Sequence, residues 1–266
     1  MSQTIALTPV DLVIATALVF VAGAVSVLLR LGLERRLAVA SVRTLVQLGL
    51  LGYVLRWVFG HDTPWPVLVW IAVMIAAAGR AAVARSSRKY GHVHLDAFLT
   101  LALTSLATTF TVTGAVVGVQ PWYQAQYVIP LLGMVLGNSL TGISLALDHL
   151  LESLDAKREL IEAHLALGAT RWEAAREPLA EAVRRGMIPI INSMSVVGLV
   201  SLPGMMTGQI LSGEDPVDAV KYQLVVMFML AASTSLGCIV IALLAYRRLF
   251  DAAHRLRADH INAASS

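Results

Sequence analysis

Apolar residues in this chain gather into long runs, and the charged residues fall between them. Runs of about 18–25 residues with few charges are long enough to cross a hydrocarbon core roughly 30 Å thick. Seven such runs stand out. The first, 12–29, carries no charge. The second, 37–59, contains Arg43, Gln47 and Arg56. The third, 65–79, is the shortest and continues past Arg80 to Val83, giving a span of 65–83. The fourth, 95–119, is rich in threonine. The fifth is 127–147. The sixth, 186–211, is interrupted by Pro203-Gly204, and the seventh is 222–246. The pattern predicts an all-α integral membrane protein, with residues 1–266 forming one polytopic domain.

The segments between the runs alternate in charge. Segments 30–36, 80–94, 148–185 and the tail after 246 hold three, four, six and four basic residues. Segments 60–64 and 120–126 hold none, and 212–221 holds only Lys221. Basic residues collect on the cytoplasmic side of membrane proteins. The alternation therefore predicts seven spans, an external N-terminus and a cytoplasmic C-terminus. Met1 to Asp11 contain no Lys or Arg, so the first run is expected to be a retained span and not a cleaved signal.

Composition supports this class. The chain is 57% hydrophobic and 14% charged, against about 25% charged for soluble domains. A net charge of +3 is explained by topology and does not call for nucleic acid. The lone Cys238 allows no intrachain disulfide and no zinc spacing.

Segment 148–185 is too charged to span. From Leu150 to Leu167 its apolar residues recur at helical spacing; Gly168 then breaks the helix, and Trp172 opens a second amphipathic stretch toward Arg185. Helix, glycine turn, helix suits docking into a cleft on a partner. The same pattern suits a helix lying on the inner leaflet with Trp172 as its anchor. Pattern alone does not separate the two.

Polar and irregular positions inside the runs are further candidates. Pro203 lacks an N–H and is expected to kink or break the sixth span. Such breaks often build substrate sites. Met194, Met205 and Met206 are potential soft-metal ligands, although methionine is more often a gap-filler. Thr100, Thr104, Thr108 and Thr111, flanked by Ser105, Thr109 and Thr113, form a polar face that favours interhelical bonding over a path. Gly114/Gly118, Gly133/Gly137 and Gly204/Gly208 predict close backbone approaches. Asn138 and Ser139 need partners at mid-membrane depth. Arg43 lies about 10 Å into its span, with Gln47 on the same face. His92-x-His94 near Asp96, and His61-Asp62, are weak metal candidates. There is no G-x-x-x-x-G-K-[ST] phosphate loop, no HExxH and no GxSxG, and the chain has only three lysines.

The string Gly198-Leu199-Val200-Ser201-Leu202-Pro203-Gly204-Met205-Met206-Thr207-Gly208, followed by Asp215-Pro216 and Lys221-Tyr222-Gln223, resembles the FetB-type (YbbM-like) permeases. Arg43-Thr44 with Gln47-Leu48, Gly52-Tyr53-Val54-Leu55, Gly133-Met134 with Gly137-Asn138, and Leu167-Gly168-Ala169-Thr170 extend the resemblance over nearly the whole chain. These permeases are membrane subunits of a metal-exporting ABC transporter. The resemblance implies a homodimer in the bacterial inner membrane that exports iron or another metal. The power would come from ATP and Mg held by a separate nucleotide-binding subunit, with no cofactor on this chain and no enzymatic activity of its own.

It also implies roles. Glu162, Ala163, Gly168, Ala169, Thr170 and Trp172 would couple to the ATPase. Arg43, Gln47, Asn138, Ser139, Asn192, Ser193, Ser201, Pro203, Gly204, Met205 and Met206 would line the path. Two departures stand out. General importer permeases follow the glycine with Ile-x-Leu-Pro, where this chain has Glu177-Pro178-Leu179-Ala180. Relatives often carry Asp and Lys where this chain has Asn192 and Ser195. The rival readings are a stand-alone channel or secondary transporter, and a membrane-embedded enzyme on lipid-linked substrates.

Overall fold

The computed structural model describes residues 8–61, 63–251 and 253–263. They fall into two compact units, Met1–Asp62 with Leu211–Glu214, and Thr63–Ile210 with Asp215–Ser266.

The first unit is a helical hairpin of α1 (Pro9–Leu28) and α2 (Glu34–Phe59). Thr8 and Asp11 cap α1 reciprocally, each side chain accepting the other's backbone N–H. The turn into α2 is closed by Ser26, whose hydroxyl donates to Glu34 Oε2 at 3.0 Å and accepts the Leu33 N–H at 3.0 Å. Arg35, Arg36 and Arg43 line one face of α2 with Val39 and Ala40.

The second unit holds α3 (Pro64–Ala84), β1 (Arg88–Lys89), α4 (Val93–Thr111) running into a π-helical segment Val112–Val117, α5 (Ala125–Ala156), α6 (Arg158–Ala166), α7 (Arg171–Val196), α8 (Gly204–Leu211), α9 (Pro216–Leu249) and β2 (Asn262–Ala263). The central pillar is α5, which packs against α3, α4, α7 and α9. Its Leu132, Ile143, Leu147, Leu150, Leu151 and Leu154 are fully buried. Each such side chain is worth about 1.5–3 kcal/mol of burial where water is the alternative, which applies to the part of α5 beyond the bilayer. At 32 residues and 1.5 Å per residue, α5 is about 48 Å long. The fifth apolar run is therefore only the first two-thirds of a helix that continues through Ala156. Asp215 caps α9 by accepting the N–H groups of Val217 and Asp218, and Arg247 and Arg248 complement its far dipole end.

Among the described residues six helices are long and apolar enough to cross a membrane: α1, α2, α3, α4 with its π segment, α5 and α9. The run 186–211 is not one helix kinked at Pro203. Helix α7 begins in the charged loop at Arg171 and continues unbroken to Val196. The chain then leaves the helix over 197–203 and restarts at Gly204. Gly198 takes φ +83° and its N–H bonds Ser201 O at 2.9 Å, making a tight reversal. Pro203 sits just before α8, where its missing N–H costs nothing. Residues 186–196 of α7 cover only about 16 Å, too little to span alone.

The hydroxyls of the threonine face bond within their own helix and not across to a neighbour. Thr100, Thr104, Thr108 and Thr113 each donate to a carbonyl one turn back on their own helix, at 2.7–2.9 Å. Ser105 and Thr109 are fully buried with no hydrogen-bond partner.

The close backbone approach lies elsewhere than the paired glycines predict. An added Cβ at Gly114, Gly118, Gly137, Gly204 or Gly208 would meet nothing within 4 Å, and at Gly133 only the end of Met74 at 3.3 Å. Gly142 of α5 and Gly186 of α7 are different. A Cβ on Gly142 would sit 2.9 Å from Gly186 O and 2.5 Å from Thr234 Cγ2; one on Gly186 would sit 2.7 Å from Gly142 O and 2.6 Å from Cys238 Sγ. On α9, a Cβ at Gly237 would lie 2.8 Å from Ile143 Cδ1. Single glycines on three helices thus let α5, α7 and α9 meet at one point. No spacing motif marks them, because the three lie on different helices.

Forcing a side chain into a packed contact costs about 1–3 kcal/mol. Gly142→Val and Gly186→Val should each lower the melting temperature of the detergent-solubilised protein clearly. Gly137→Ala, which has open space, should leave it unchanged or slightly higher. Equal melting temperatures for all three would remove the glycine crossing as a structural requirement.

Candidate functional site

Two regions of the second unit concentrate unusual chemistry, one at each end of the helices. At the charged end, loops and tail are tied together by side chains. Asp148 of α5 accepts the Ser87 N–H and hydroxyl, both at 2.7 Å. Arg88 pairs with Asp155 at 3.0 Å. Asp96, in the first turn of α4 and 1% exposed, accepts the Tyr90 hydroxyl at 2.9 Å and pairs with Arg248 of α9 at 3.3 Å. Burial, then the adjacent Asp96 carboxylate, pushes the Tyr90 phenol far above its ordinary value. Tyr90 therefore stays a donor at every working pH. Strand β1 pairs antiparallel with β2 of the tail.

The turn between α6 and α7 projects from this end. Gly168 takes φ +93°, its N–H bonds Leu165 O at 3.1 Å, and the Ala169 N–H bonds His164 O at 3.1 Å. This is the paired closure that ends helices on a left-handed residue. Thr170 then caps α7. Its hydroxyl accepts the Glu173 N–H at 3.3 Å, and Glu173 Oε2 accepts the Thr170 N–H at 2.8 Å. The backbone and hydroxyl donors of Thr170 hold the Glu173 carboxyl below its ordinary value.

The start of α7 is clamped to the tail. The Arg171 N–H donates to His254 Nδ1 at 2.8 Å, its guanidinium to Asp251 O at 3.1 Å, and Trp172 meets Tyr246 edge-on with centroids 5.7 Å apart. Lys157 pairs with Glu177 at 3.1 Å, bracing the turn from the other side. Leu167, at the tip, is 87% exposed.

The other region lies where α7 ends. Leu131 and Val135 of α5, Ile190 of α7, and Val226, Met227, Met229 and Leu230 of α9 form a buried cluster. Val112, Met134, Met187, Met194, Val197 and Met205 pack against it. The elements around α9 are irregular at this point, while α9 itself is unbroken. Pro130 sits inside α5 and Pro189 inside α7. The π segment starts at Val112, the α7–α8 break at Val197, and α8 at Gly204. Each proline deprives the carbonyl four residues earlier of its helical partner. Non-helical backbone at membrane depth is tolerated where protein or a cavity satisfies it, and it often builds a site.

The sequence matches the profile of the uncharacterised protein family UPF0014 over residues 9–250. The chain belongs to this family. A UPF0014 membrane protein of Synechocystis is 40% identical, with 83% of this chain and 85% of that protein covered. A protein of Escherichia coli named "Probable iron export permease protein FetB" is 32% identical over 92% of this chain and 93% of its own. An Arabidopsis thaliana protein named "ALUMINUM SENSITIVE 3" is 30% identical over 91% and 88%. No solved structure matches. The membership and the apolar helices make this a multi-pass membrane protein.

The residues expected to couple in this UPF0014 chain all lie on α6, the turn or the start of α7. Glu162 pairs with Arg158 at 2.7 Å, Ala163 is exposed, and Trp172 is half-exposed. The expected path residues are divided between the two units. Arg43 and Gln47 are exposed on α2 of the first unit. In the second unit, Asn138 donates to Met134 O at 2.9 Å, and Ser139 shares a buried hydrogen bond with Ser233 at 3.0 Å. Asn192 and Ser193 are exposed on α7; Ser201 and Pro203 lie in the break; Gly204, Met205 and Met206 open α8.

Sequence reasoning missed the Tyr90–Asp96–Arg248 cluster, Asp148 and Asp155. Asp96 was legible only as a carboxylate beside two histidines. Among the described residues no group of three His, Cys, Asp or Glu is placed to hold a metal ion; Asp62, of the His61-Asp62 pair, lies outside them.

A hydrogen bond to a charged group contributes about 1.5–3 kcal/mol. Tyr90→Phe should destabilise the charged end by that order and raise amide exchange in residues 86–96 and in β2. Exchange indistinguishable from the parent would show that the tail is held by other contacts.

Proposed function

We propose that this chain is the permease subunit of an ABC transporter, acting as a homodimer in the bacterial plasma membrane. In this reading it exports a metal ion with ATP hydrolysed by a separate subunit. The observation that carries it is the path of α7. One uninterrupted helix of 26 residues, about 39 Å long, joins the projecting turn to the irregular junction. A partner gripping the turn would act on the junction through one continuous helix and not through a chain of loops.

The turn is built for such a grip. Its α6 end is closed by backbone bonds and its α7 end by the Thr170–Glu173 side-chain cap, and its base is clamped by Arg171 and Trp172. Leu167 and Leu160 are exposed beside Glu162 and Arg158, an apolar tip with a charged rim that suits a protein cleft. The family relatives support the transport class: one is named an iron export permease. Exposed Asn192, Ser193 and Ser201 fit a path between two copies better than a face on lipid. The metal and its ATPase come to this chain from the resemblance.

The test is affinity purification from the native host in mild detergent. A phosphate-loop ATPase should co-purify in equal amount, and its hydrolysis should be stimulated by the permease. Gly168→Asp places a side chain at φ +93°, a conformation that costs about 1–2 kcal/mol for an L residue. That variant, inserted at normal levels, should lose most of the co-purifying ATPase. Leu167→Glu should do the same without touching the clamp. Transport by the purified chain alone, with no ATPase recovered, would favour a stand-alone carrier and overturn the proposal.

A further inference from the structure

We propose that the methionine cluster where α5, α7, α8 and α9 meet is a binding site for a soft monovalent metal ion of the Ag(I)/Cu(I) class. The proposal rests on the metal-permease reading for its transport role, and the site itself on where the methionines gather.

The chain has nine methionines. Six of them, Met134, Met187, Met194, Met205, Met227 and Met229, belong to or pack against one buried cluster. Four elements contribute: Met134 from α5, Met187 and Met194 from α7, Met205 from α8, and Met227 and Met229 from α9. Methionine used as filler would be spread through the packed interior. Here the large core of α5 nearer the charged end, from Ile143 to Leu154, is closed with leucine, isoleucine and alanine.

The donor set decides the class of ion. Thioethers are neutral and soft, and they select Cu(I) over hard cations. No group of His, Cys, Asp or Glu is gathered for a metal among the described residues, so a divalent ion would find no counter-charge. Burying an unpaired ion in low dielectric costs of order 20 kcal/mol in the Born limit for unit charge, and that cost grows with the square of the charge. A neutral site therefore favours a monovalent ion that bonds sulfur strongly.

An unpaired polar group lies one turn away on α9. Gln223, one turn before Met227 on α9, is 7% exposed, and its side-chain oxygen has no hydrogen-bond partner. Such an oxygen is costly to leave unpaired at membrane depth. The prolines within α5 and α7, the π segment and the α7–α8 break give the surrounding helices separate joints. The site is thus built where α7 would deliver motion from the turn.

The experiment uses purified full-length protein carrying Cys238→Ala, so that no thiol competes. Ag(I) is titrated by calorimetry, and Cu(I) by competition with a chromophoric chelator. The comparison is with a variant carrying Met187→Leu, Met194→Leu, Met205→Leu and Met227→Leu. Methionine-to-leucine exchange keeps volume and is well tolerated, so a normal melting temperature certifies the fold. The parent should bind one Ag(I) per chain, with metal–sulfur scattering in its X-ray absorption spectrum. The leucine variant should bind about ten-fold or more weakly. A single Met205→Leu change provides a milder step in the same direction if the fourfold variant fails to fold. No Ag(I) binding by the parent, or equal binding by the leucine variants, overturns the site. Ag(I) binding without any co-purifying ATPase would keep the site and remove the permease reading. An ATPase partner without Ag(I) binding would do the reverse.

Discussion

The meeting of α5, α7 and α9 at Gly142, Gly186 and Gly237 is the contact on which the rest of the second unit depends. It brings the α5 and α7 backbones so close that neither glycine has room for a Cβ. In a bilayer there is little hydrophobic gain in pressing two apolar helices together, because lipid is equally apolar. Close packing has to come from dispersion and small residues instead. The crossing fixes α7 against the central pillar at one level. Above it α7 reaches the irregular junction, and below it the charged turn. A helix held at its waist with both ends differently constrained is suited to convey displacement.

The two ends are held by different forces. At the charged end, Asp96, Asp148 and Asp155 take donors from the α3–α4 loop and from α9, and the tail pairs through β2. The base of the α6–α7 turn is tied to the tail and α9 by Arg171 and Trp172, while its tip at Leu167 is left exposed. At the other end, packing is apolar and pliable, with methionines and two in-helix prolines. Rigid polar ties below and a deformable apolar joint above place compliance where a substrate would pass.

Much of this was legible from the chain. Hydrophobic runs located the helices because membrane burial imposes a strong length rule. Gly168 was legible as a turn because only glycine readily adopts a positive φ between two amphipathic stretches. The start of α7 was not legible as the beginning of the sixth segment. The stretch from Trp172 to Arg185 read as a separate amphipathic helix in the charged loop, yet it runs on without a break into the apolar segment. The break was placed at Pro203 because proline cannot continue a helix. The structure ends α7 seven residues earlier, at Val196, where Gly198 reverses the chain. The glycine crossing and the Tyr90–Asp96–Arg248 cluster join residues far apart in sequence, and one sequence carries no signal for such pairs. Trp172 was legible as an anchor, and its edge-on contact with Tyr246 shows that part of its surface serves its own chain.

The central claim is that the α6–α7 turn inserts into a nucleotide-binding partner. The most direct test is site-specific crosslinking from Leu167→Cys in a Cys238→Ala background, in native membranes. The account predicts a covalent product containing this chain and a phosphate-loop ATPase, lost in Gly168→Asp. A cysteine at 167 that crosslinks to no protein, and that reacts with lipid-soluble but not water-soluble reagents, would place the turn on the inner leaflet and contradict the account.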